Sequence, residues 1–261
     1  MPARKPDDQL HAQLRAHLGT LKLLRSLQIY EEAIDEAAKK DWSSLCLLAY
    51  LFEQEAGARE ERAMARRVRK ARLPRERKTL EEFDWSFPKE IPKQMILHVF
   101  DCDFVHRHEN ICFIGNQGTG KTHFLNALGY VACAKGINVR FTRAIDMLNA
   151  LTTAQINGTL GKAIRAYTAP TLLILDELGY LPVDKRGADL LFQVVAARYE
   201  SGSIALSTNR SFKHWGKILD ADATLATALI DRLMHHGEAI LIKGPSFRMK
   251  EKGEENTDSS E

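Results

Sequence analysis

The sequence lacks the features by which exported and membrane-bound proteins are usually recognised. Its 261 residues contain no apolar run approaching the roughly 20 residues that span a bilayer. The first ten residues are polar and charged, without the apolar segment that a secretory signal peptide requires. From these two absences we expect a cytoplasmic protein that has no membrane partner.

Cysteine is scarce, and its placement argues against metal or disulfide chemistry. The four cysteines form no C-x-x-C pair, and no histidine cluster stands at metal-ligand spacing beside them. Cys112 and Cys133 lie in apolar runs, where a free thiol behaves as a small hydrophobic side chain. We therefore expect reduced thiols without a chemical role, as is usual in the cytosol.

Charge is present in ordinary amount but is unevenly distributed. The formal net charge is +3, and residues 251–261 contain five acidic residues against one lysine. The first 250 residues therefore carry a net charge of +7, which is a weak indication of a polyanionic partner. The composition of residues 251–261 predicts a disordered acidic tail.

The N-terminal part of the chain predicts helices only. Residues 1–72 predict a small all-helical domain that contacts a partner, DNA or both, because leucines recur there at three- and four-residue steps. Asp41 is a candidate N-cap before a second long helix over 43–72. Prolines interrupt the pattern in 73–92, which we interpret as a linker that packs its aromatic side chains onto the next domain.

Residues 93–250 alternate short apolar runs with helical segments. The apolar runs are continuous rather than alternating, as expected of strands that are buried on both faces. This alternation predicts an α/β domain with a parallel five-stranded sheet between helices. The predicted strands are 111–114, 139–141, 172–175, 204–207 and 239–242.

A glycine-rich segment after the first predicted strand matches the phosphate-binding P-loop pattern G-x-x-x-x-G-K-[ST]. Its glycines allow successive N–H groups to point at phosphates, and the following helix adds its positive N-terminal end. Lys121 is expected to reach the β- and γ-phosphates of ATP, and the Thr122 hydroxyl to bind Mg²⁺. The predicted ATP contacts are Gly115, Asn116, Gln117, Gly118, Thr119, Gly120, Lys121, Thr122 and His123.

Two further predicted strands end in polar residues that suit nucleotide hydrolysis. Asp176 and Glu177 follow an apolar strand, so we expect Asp176 to hold Mg²⁺ and Glu177 to polarise the attacking water. Asn209 follows another strand and is expected to lie near the γ-phosphate. Arg232 and Arg248 are candidates for stabilising transition-state charge, worth about 10³–10⁵ in rate where measured, although either would also suit an ordinary surface.

Taken together, these motifs resemble the IstB family. The resemblance rests on the P-loop, on Leu-Asp-Glu-Leu-Gly-Tyr at 175–180, on Ser-Thr-Asn-Arg at 207–210 and on the stretch 215–248, and it extends over about residues 10–250. IstB proteins are helper ATPases encoded beside the transposase in certain insertion sequences, and they are relatives of bacterial helicase loaders. The departures are small, with Phe124 and Phe247 standing where leucine and tyrosine are commoner.

The resemblance implies an AAA+ fold and an ATPase that uses ATP and Mg²⁺ and is stimulated by DNA and transposase. It further implies a homo-oligomer that forms in the presence of ATP on double-stranded DNA, and a partner transposase encoded by the same element. It assigns Asn209 the role of first sensor, Arg232 that of arginine finger and Arg248 that of second sensor.

The residues leave open which surface would hold DNA. The basic run 59–78 suits a phosphate backbone, and the absence of a zinc finger or recognition helix predicts binding without sequence preference. We expect the ATPase core to grip DNA and the N-terminal region mainly to meet the transposase. The basic core residues that offer such a surface are Arg140, Arg143, Lys162, Arg165, Lys185 and Arg186.

Three other functions remain open at this point. A replicative helicase loader would have the same core and a hexameric helicase as its partner. A small-molecule P-loop kinase would leave Glu177, Asn209 and the basic helix unexplained. A DNA-binding scaffold without turnover is disfavoured by the intact Lys121, Thr122, Asp176 and Glu177.

Overall fold

The computed structural model describes residues 7–87 and 90–247. Contacts between residues divide the chain into two compact units, the first ending at Arg66 and the second beginning at Arg67. The predicted acidic tail and Arg248 lie outside the described residues, and the domain limits predicted from the sequence stay predictions. No helix in the two described ranges is both long and apolar enough to cross a bilayer.

The first unit contains helix α1 (Asp7–Thr20), helix α2 (Leu24–Lys39) and most of helix α3 (Ser44–Ala71). The leucine series does not continue unbroken, because the chain turns at Lys22, where φ is +57°. The prediction that Asp41 caps α3 is wrong. Asp41 lies three residues before the helix, and the Ser43 hydroxyl accepts a hydrogen bond from the Cys46 amide at 3.2 Å instead.

A buried carboxylate ties α3 to the start of α2. Glu55 of α3 accepts hydrogen bonds from the backbone amides of Arg25 (2.7 Å) and Ser26 (2.9 Å). These amides belong to the first turn of α2, which has no side-chain cap of its own. Arg62 completes the arrangement with an ion pair to Glu55 at 2.9 Å.

The second unit is built on the predicted parallel sheet. Its strands are β1 (Asn110–Gly115), β2 (Val139–Arg143), β3 (Leu172–Leu178), β4 (Ser203–Thr208) and β5 (Gly237–Ile242), in the spatial order β2-β3-β4-β1-β5. All four pairings are parallel, which confirms the fold class predicted from the sequence. The described helices of this unit are α4 (Lys93–Val99), α5 (Asp103–His106), α6 (Lys121–Ala134), α7 (Ala144–Ile156), α8 (Leu160–Thr168), α9 (Lys185–Arg198), α10 (Trp215–Ile218) and α11 (Ala223–Met234).

The sheet separates two apolar clusters, and strand β3 contributes to both. Leu172 and Ile174 pack into the cluster that contains the buried side of α6. Leu173 and Leu175 pack into the other cluster, with residues of α7, α9 and α11. This burial on both faces is the reason for the continuous apolar runs in the sequence.

The aromatic residues of the predicted linker, which itself belongs to the second unit, pack as expected onto later residues of that unit. The Phe83 ring lies 4.4 Å from that of Phe124 of α6, and the Trp85 ring lies 5.8 Å from it. Phe87 meets Phe247 with ring centroids 5.5 Å apart. The linker is therefore part of the wall around the start of α6.

Arg198, at the end of α9, is a buried cation that no carboxylate neutralises among the described residues. Its guanidinium donates to five backbone carbonyls, and burial lowers its pKa to about 10. These hydrogen bonds fix the segments that enter β3 and β4. The acceptors are the carbonyls of Tyr167, Thr168, Pro170, Thr171 and Ser203.

The Glu55→Gln substitution should loosen the first turn of α2. Burial raises the pKa of the Glu55 carboxyl, but hydrogen bonds from Ser26, Arg62 and Arg25 outweigh it, so the pKa is lowered overall. The stabilisation is therefore present above the ordinary carboxyl pKa and is lost as pH falls through the lowered one. We expect Glu55→Gln to cost about 1–3 kcal/mol at neutral pH and less in acid.

Urea unfolding of the full chain at neutral and acidic pH measures this cost, and hydrogen exchange of the Arg25 and Ser26 amides locates it. The matched control is Glu53→Gln, which changes an exposed carboxylate on the same helix. Unchanged protection of the two amides in Glu55→Gln would show that Glu55 does not cap α2.

Candidate nucleotide-binding site

The carboxyl ends of three neighbouring strands form the edge of the sheet where the predicted site residues meet. Strand β4 lies between β1 and β3 in the sheet. The P-loop follows β1, the acidic pair ends β3, and Asn209 follows β4. Ligands of open α/β sheets bind at this edge, so the strand order alone brings the three motifs together.

The P-loop connects β1 directly to the first turn of α6. Gly118 and Gly120 have φ angles of +74° and +89°, which other residues rarely adopt. A Cβ atom at Gly118 would overlap the Ser246 side chain, and one at Gly120 would overlap the Phe83 ring. Since no described side chain caps α6, its first N–H groups face the loop and suit an anion.

Lys121 lies buried beneath the P-loop. Its ammonium donates hydrogen bonds to the carbonyls of Gly115 (2.8 Å) and Asn116 (2.5 Å). The Thr119 hydroxyl bonds the same Asn116 carbonyl at 2.9 Å. The loop is therefore curled around the lysine, and the cation is held close to the backbone amides that the motif predicts as phosphate donors.

The two predicted Mg²⁺ ligands are in direct contact although 54 residues separate them. The Thr122 hydroxyl donates to the carboxylate of Asp176 at 3.1 Å. Asp176 is buried at the end of β3, and the same carboxylate oxygen accepts a hydrogen bond from Ser207 of β4 at 2.5 Å. A hydroxyl and a carboxylate at the head of a phosphate-binding loop form a donor set that suits Mg²⁺.

Glu177 interrupts the regular alternation of β3. Its φ angle is +60°, and the pairing between β3 and β4 shifts register between Leu175 and Leu178. The Glu177 amide donates to the Ser207 hydroxyl at 3.0 Å. The acidic pair therefore lies in a β-bulge, a feature that re-aims side chains and that the sequence pattern did not predict.

Asn209 and Ser207 occupy the end of β4 in different ways. The side-chain oxygen of Asn209 is buried and has no hydrogen-bond partner within residues 7–87 and 90–247. Ser207, which the sequence reasoning gave no role, touches both acidic residues. The signal that could have found it is a hydroxyl near the carboxyl end of a strand that is buried throughout, just before Asn209.

His123 faces the linker. Its Nε2 lies 2.6 Å from the Thr79 carbonyl, and its ring lies 5.3 Å from that of Phe83. Asn126 donates to the Glu76 carbonyl at 2.9 Å, and Tyr130 to that of Pro74 at 3.3 Å, from the same face of α6. The helix that carries the P-loop thus holds the linker by three side chains.

Of the two predicted arginines, Arg232 lies within the described residues and Arg248 does not. Arg232 of α11 lies over the Phe192 ring of α9 at 4.6 Å and donates to the Ala228 carbonyl at 3.1 Å. Its described contacts are thus with α9 and its own helix, and the structure does not place it against Asp176. Arg248 lies outside the described residues, but the preceding Phe247 amide donates to the Gly118 carbonyl of the P-loop at 3.0 Å.

Comparison with known proteins agrees with this geometry. Residues 16–255 match the family described as IstB-like ATP binding protein. The chain belongs to this family.

Relatives of this IstB-like chain are ATP-binding proteins of insertion sequences. It is 37% identical to the putative ATP-binding protein of insertion sequence IS21 from Pseudomonas aeruginosa, over 92% of this chain and 90% of that protein. It is 40% identical to that of IS5376 from Geobacillus stearothermophilus, over 77% of this chain and 80% of that protein.

Solved structures show the same fold at lower identity. AMPPCP-bound DnaA from Aquifex aeolicus is 24% identical with a TM-score of 0.55, covering 72% of this chain and 56% of that one. The DnaC helicase loader is 22% identical with a TM-score of 0.51, covering 63% of this chain and 96% of that one. These likenesses confirm the AAA+ P-loop fold.

Several basic residues of this IstB-like protein already have partners. Arg67 donates to the Cys133 carbonyl at 2.7 Å, and Arg143 forms a two-pronged ion pair with Asp146. Arg140 is half-buried over the Tyr167 ring, and burial lowers its pKa. The exposed basic residues of the second unit include Arg69, Lys70, Arg72, Arg75, Lys162, Arg165, Lys185 and Arg186.

The Gly120→Ala substitution should impair nucleotide binding, whereas the same substitution at a left-handed glycine outside the P-loop should not. The new Cβ strains the backbone and overlaps Phe83. We expect binding of a fluorescent ATP analogue to weaken by about tenfold, which corresponds to 1.4 kcal/mol.

Gly136→Ala is the matched control, since Gly136 has a φ of +86° but open space around its Cβ position. Both variants should lose about 1–2 kcal/mol of folding free energy from backbone strain. Only Gly120→Ala should lose nucleotide affinity, and the additional change Phe83→Leu should restore part of it. Equal nucleotide binding by both glycine variants would contradict the role given to the Phe83 contact.

Proposed function

We propose that this protein is a Mg²⁺-dependent ATPase that assembles as a homo-oligomer on double-stranded DNA and assists the transposase encoded by the same insertion sequence. The observation that carries the catalytic part is the cluster of Thr122, Asp176 and Ser207 at the head of the P-loop. Membership in a family of insertion-sequence ATP-binding proteins supports the biological part.

The residues of the site fit MgATP. Gly118 and Gly120 supply the left-handed backbone turns that the P-loop motif requires, and Lys121 is a cation beneath the same loop. Thr122 and Asp176 would hold Mg²⁺, which when bound neutralises negative charge on the β- and γ-phosphates. The unpartnered side-chain oxygen of Asn209 offers an acceptor for a proton of the attacking water.

The roles in hydrolysis follow from these positions. Glu177 is partly exposed beside the buried Asp176, so it can accept a proton as water attacks the γ-phosphoryl group. Lys121 and the amides at the start of α6 stabilise the charge on the phosphate oxygens. Asn209 orients the water as the first sensor.

The arginines complete the site in the assembled protein. Arg232 is held against Phe192 rather than beside Asp176, which supports a role as an arginine finger toward a neighbouring subunit. Arg248 follows Phe247, whose amide is bonded to the P-loop, and this connection supports its role as second sensor. The role of Arg232 requires a head-to-tail arrangement of subunits, whereas that of Arg248 is within its own chain.

The exposed basic residues of the second unit supply the DNA-binding surface. Lys185 and Arg186 lie in the first turn of α9, after the loop that follows the acidic pair, and Lys162 and Arg165 are exposed on α8. Contacts of this kind reach phosphates rather than bases, so binding is independent of sequence.

The N-terminal region contacts the transposase. Family membership favours this partner over a replicative helicase, since the likeness to the DnaC helicase loader extends to the fold alone.

ATP should control DNA binding through the P-loop. We expect the fluorescence anisotropy of a labelled duplex to rise strongly with protein in the presence of a slowly hydrolysed ATP analogue. Lys121→Ala should abolish the rise. Lys185→Ala/Arg186→Ala should weaken it and should reduce the slope of log binding constant against log salt concentration by about one for each lost phosphate contact. Lys22→Ala, a neutralisation in the first unit, is the control. An absence of binding under every nucleotide condition would overturn the DNA part of the proposal.

Mixing two inactive variants should restore ATP hydrolysis if sites are shared between subunits. Arg232→Ala keeps its own P-loop, and Lys121→Ala keeps its own finger. In an equal mixture that pairs head to tail at random, about a quarter of the subunit boundaries should join an intact P-loop to an intact Arg232 and so regain activity. No recovery at any ratio would show that Arg232 does not act in the neighbouring subunit.

A further inference from the structure

We infer that Ser207 is a positioning residue that fixes both acidic residues of the site, Asp176 toward Mg²⁺ and Glu177 toward water. This inference rests on the proposed function and extends it to a residue to which the sequence motifs assigned no role. Ser207 lies in β4, the strand between the P-loop strand and the acidic strand, and its side chain is almost fully buried.

One hydroxyl makes two different hydrogen bonds at this position. It donates to the carboxylate of Asp176 at 2.5 Å and accepts from the amide of Glu177 at 3.0 Å. A hydroxyl has one proton and two lone pairs, so both bonds form at the same time. The oxygen of Asp176 that Ser207 contacts is also the one that Thr122 reaches. Ser207 therefore limits the rotation of the carboxylate that would hold the metal ion.

The contact with Glu177 supports the bulge. Glu177 has a φ of +60°, which costs a residue with a side chain about 1–2 kcal/mol. The register shift also removes its amide from the regular pairing of β3 with β4. The Ser207 hydroxyl supplies the acceptor that this amide would otherwise lack, so it stabilises the conformation that separates the two neighbouring carboxylates.

The variant that tests this inference is Ser207→Ala, and the matched control is Ser203→Ala. Ser203 lies in the same strand, is equally buried, and its hydroxyl bonds the Phe104 carbonyl at 3.2 Å at the opposite edge of the sheet. Both variants lose one buried hydroxyl, so a merely structural role predicts similar losses of stability. Ser207→Thr keeps the hydroxyl and should restore the wild-type behaviour.

Two readouts do not depend on turnover. The first is the binding of a fluorescent ATP analogue at increasing Mg²⁺ concentration. We expect Ser207→Ala to need about tenfold more Mg²⁺, as is usual when a partner of a metal ligand is lost, with unchanged binding in the absence of Mg²⁺. The second is hydrogen exchange of the Glu177 amide, which should be faster in Ser207→Ala and unchanged in Ser203→Ala.

ATP hydrolysis then separates failure of this inference from failure of the proposed function. If wild-type protein hydrolyses ATP, Ser207→Ala should lower kcat about tenfold or more. If wild-type protein does not hydrolyse ATP with Mg²⁺ and DNA, the proposed function fails, and the two binding readouts still judge Ser207. Equal Mg²⁺ dependence and equal Glu177 exchange in Ser207→Ala and Ser203→Ala would overturn the inference.

Discussion

The position of β4 between β1 and β3 is the constraint on which the site depends. In a parallel sheet, all carboxyl ends reach the same edge, so the order of strands decides which polar residues become neighbours. Here the order brings Thr122, after β1, within 3.1 Å of Asp176 in β3, with Ser207 of the intervening strand bonded to the same carboxylate. Parallel pairing holds Asp176 and Ser207 in neighbouring strands, and the P-loop that leaves β1 brings Thr122 to the same carboxylate.

Helix α6 connects this site to the linker. Its first turn closes the P-loop, while His123, Asn126 and Tyr130 hold the backbone of residues 74–79 through hydrogen bonds from one face. Phe83 fills the space that Gly120 leaves open, and Ser246 does the same at Gly118. Movement of the P-loop would therefore also displace segments that are far apart in sequence, because packed side chains transmit movement rather than absorb it.

Several features at this edge are unfavourable for stability and favourable for chemistry. Glu177 adopts a left-handed conformation, Asn209 buries an oxygen without a partner in the described chain, and Lys121 is a buried cation bonded to carbonyls. Strain and unsatisfied polar groups of this kind concentrate at functional sites and persist because the surrounding structure over-determines them. Arg198 shows the contrasting case of a buried cation at the other edge, where five backbone carbonyls accept its hydrogen bonds.

The class of fold and the residues at the ends of β1, β3 and β4 could be predicted from the amino-acid sequence. Burial on both faces requires continuous apolar runs, and a phosphate loop requires glycines at fixed spacing, so both leave local patterns that can be read. Three features depend on the tertiary structure: His123 faces the linker, a bulge separates Asp176 from Glu177, and Ser207 joins these two residues. These features arise from contacts between residues distant in the chain. A local pattern does not encode such contacts, because many partners of similar chemistry are available until packing selects one.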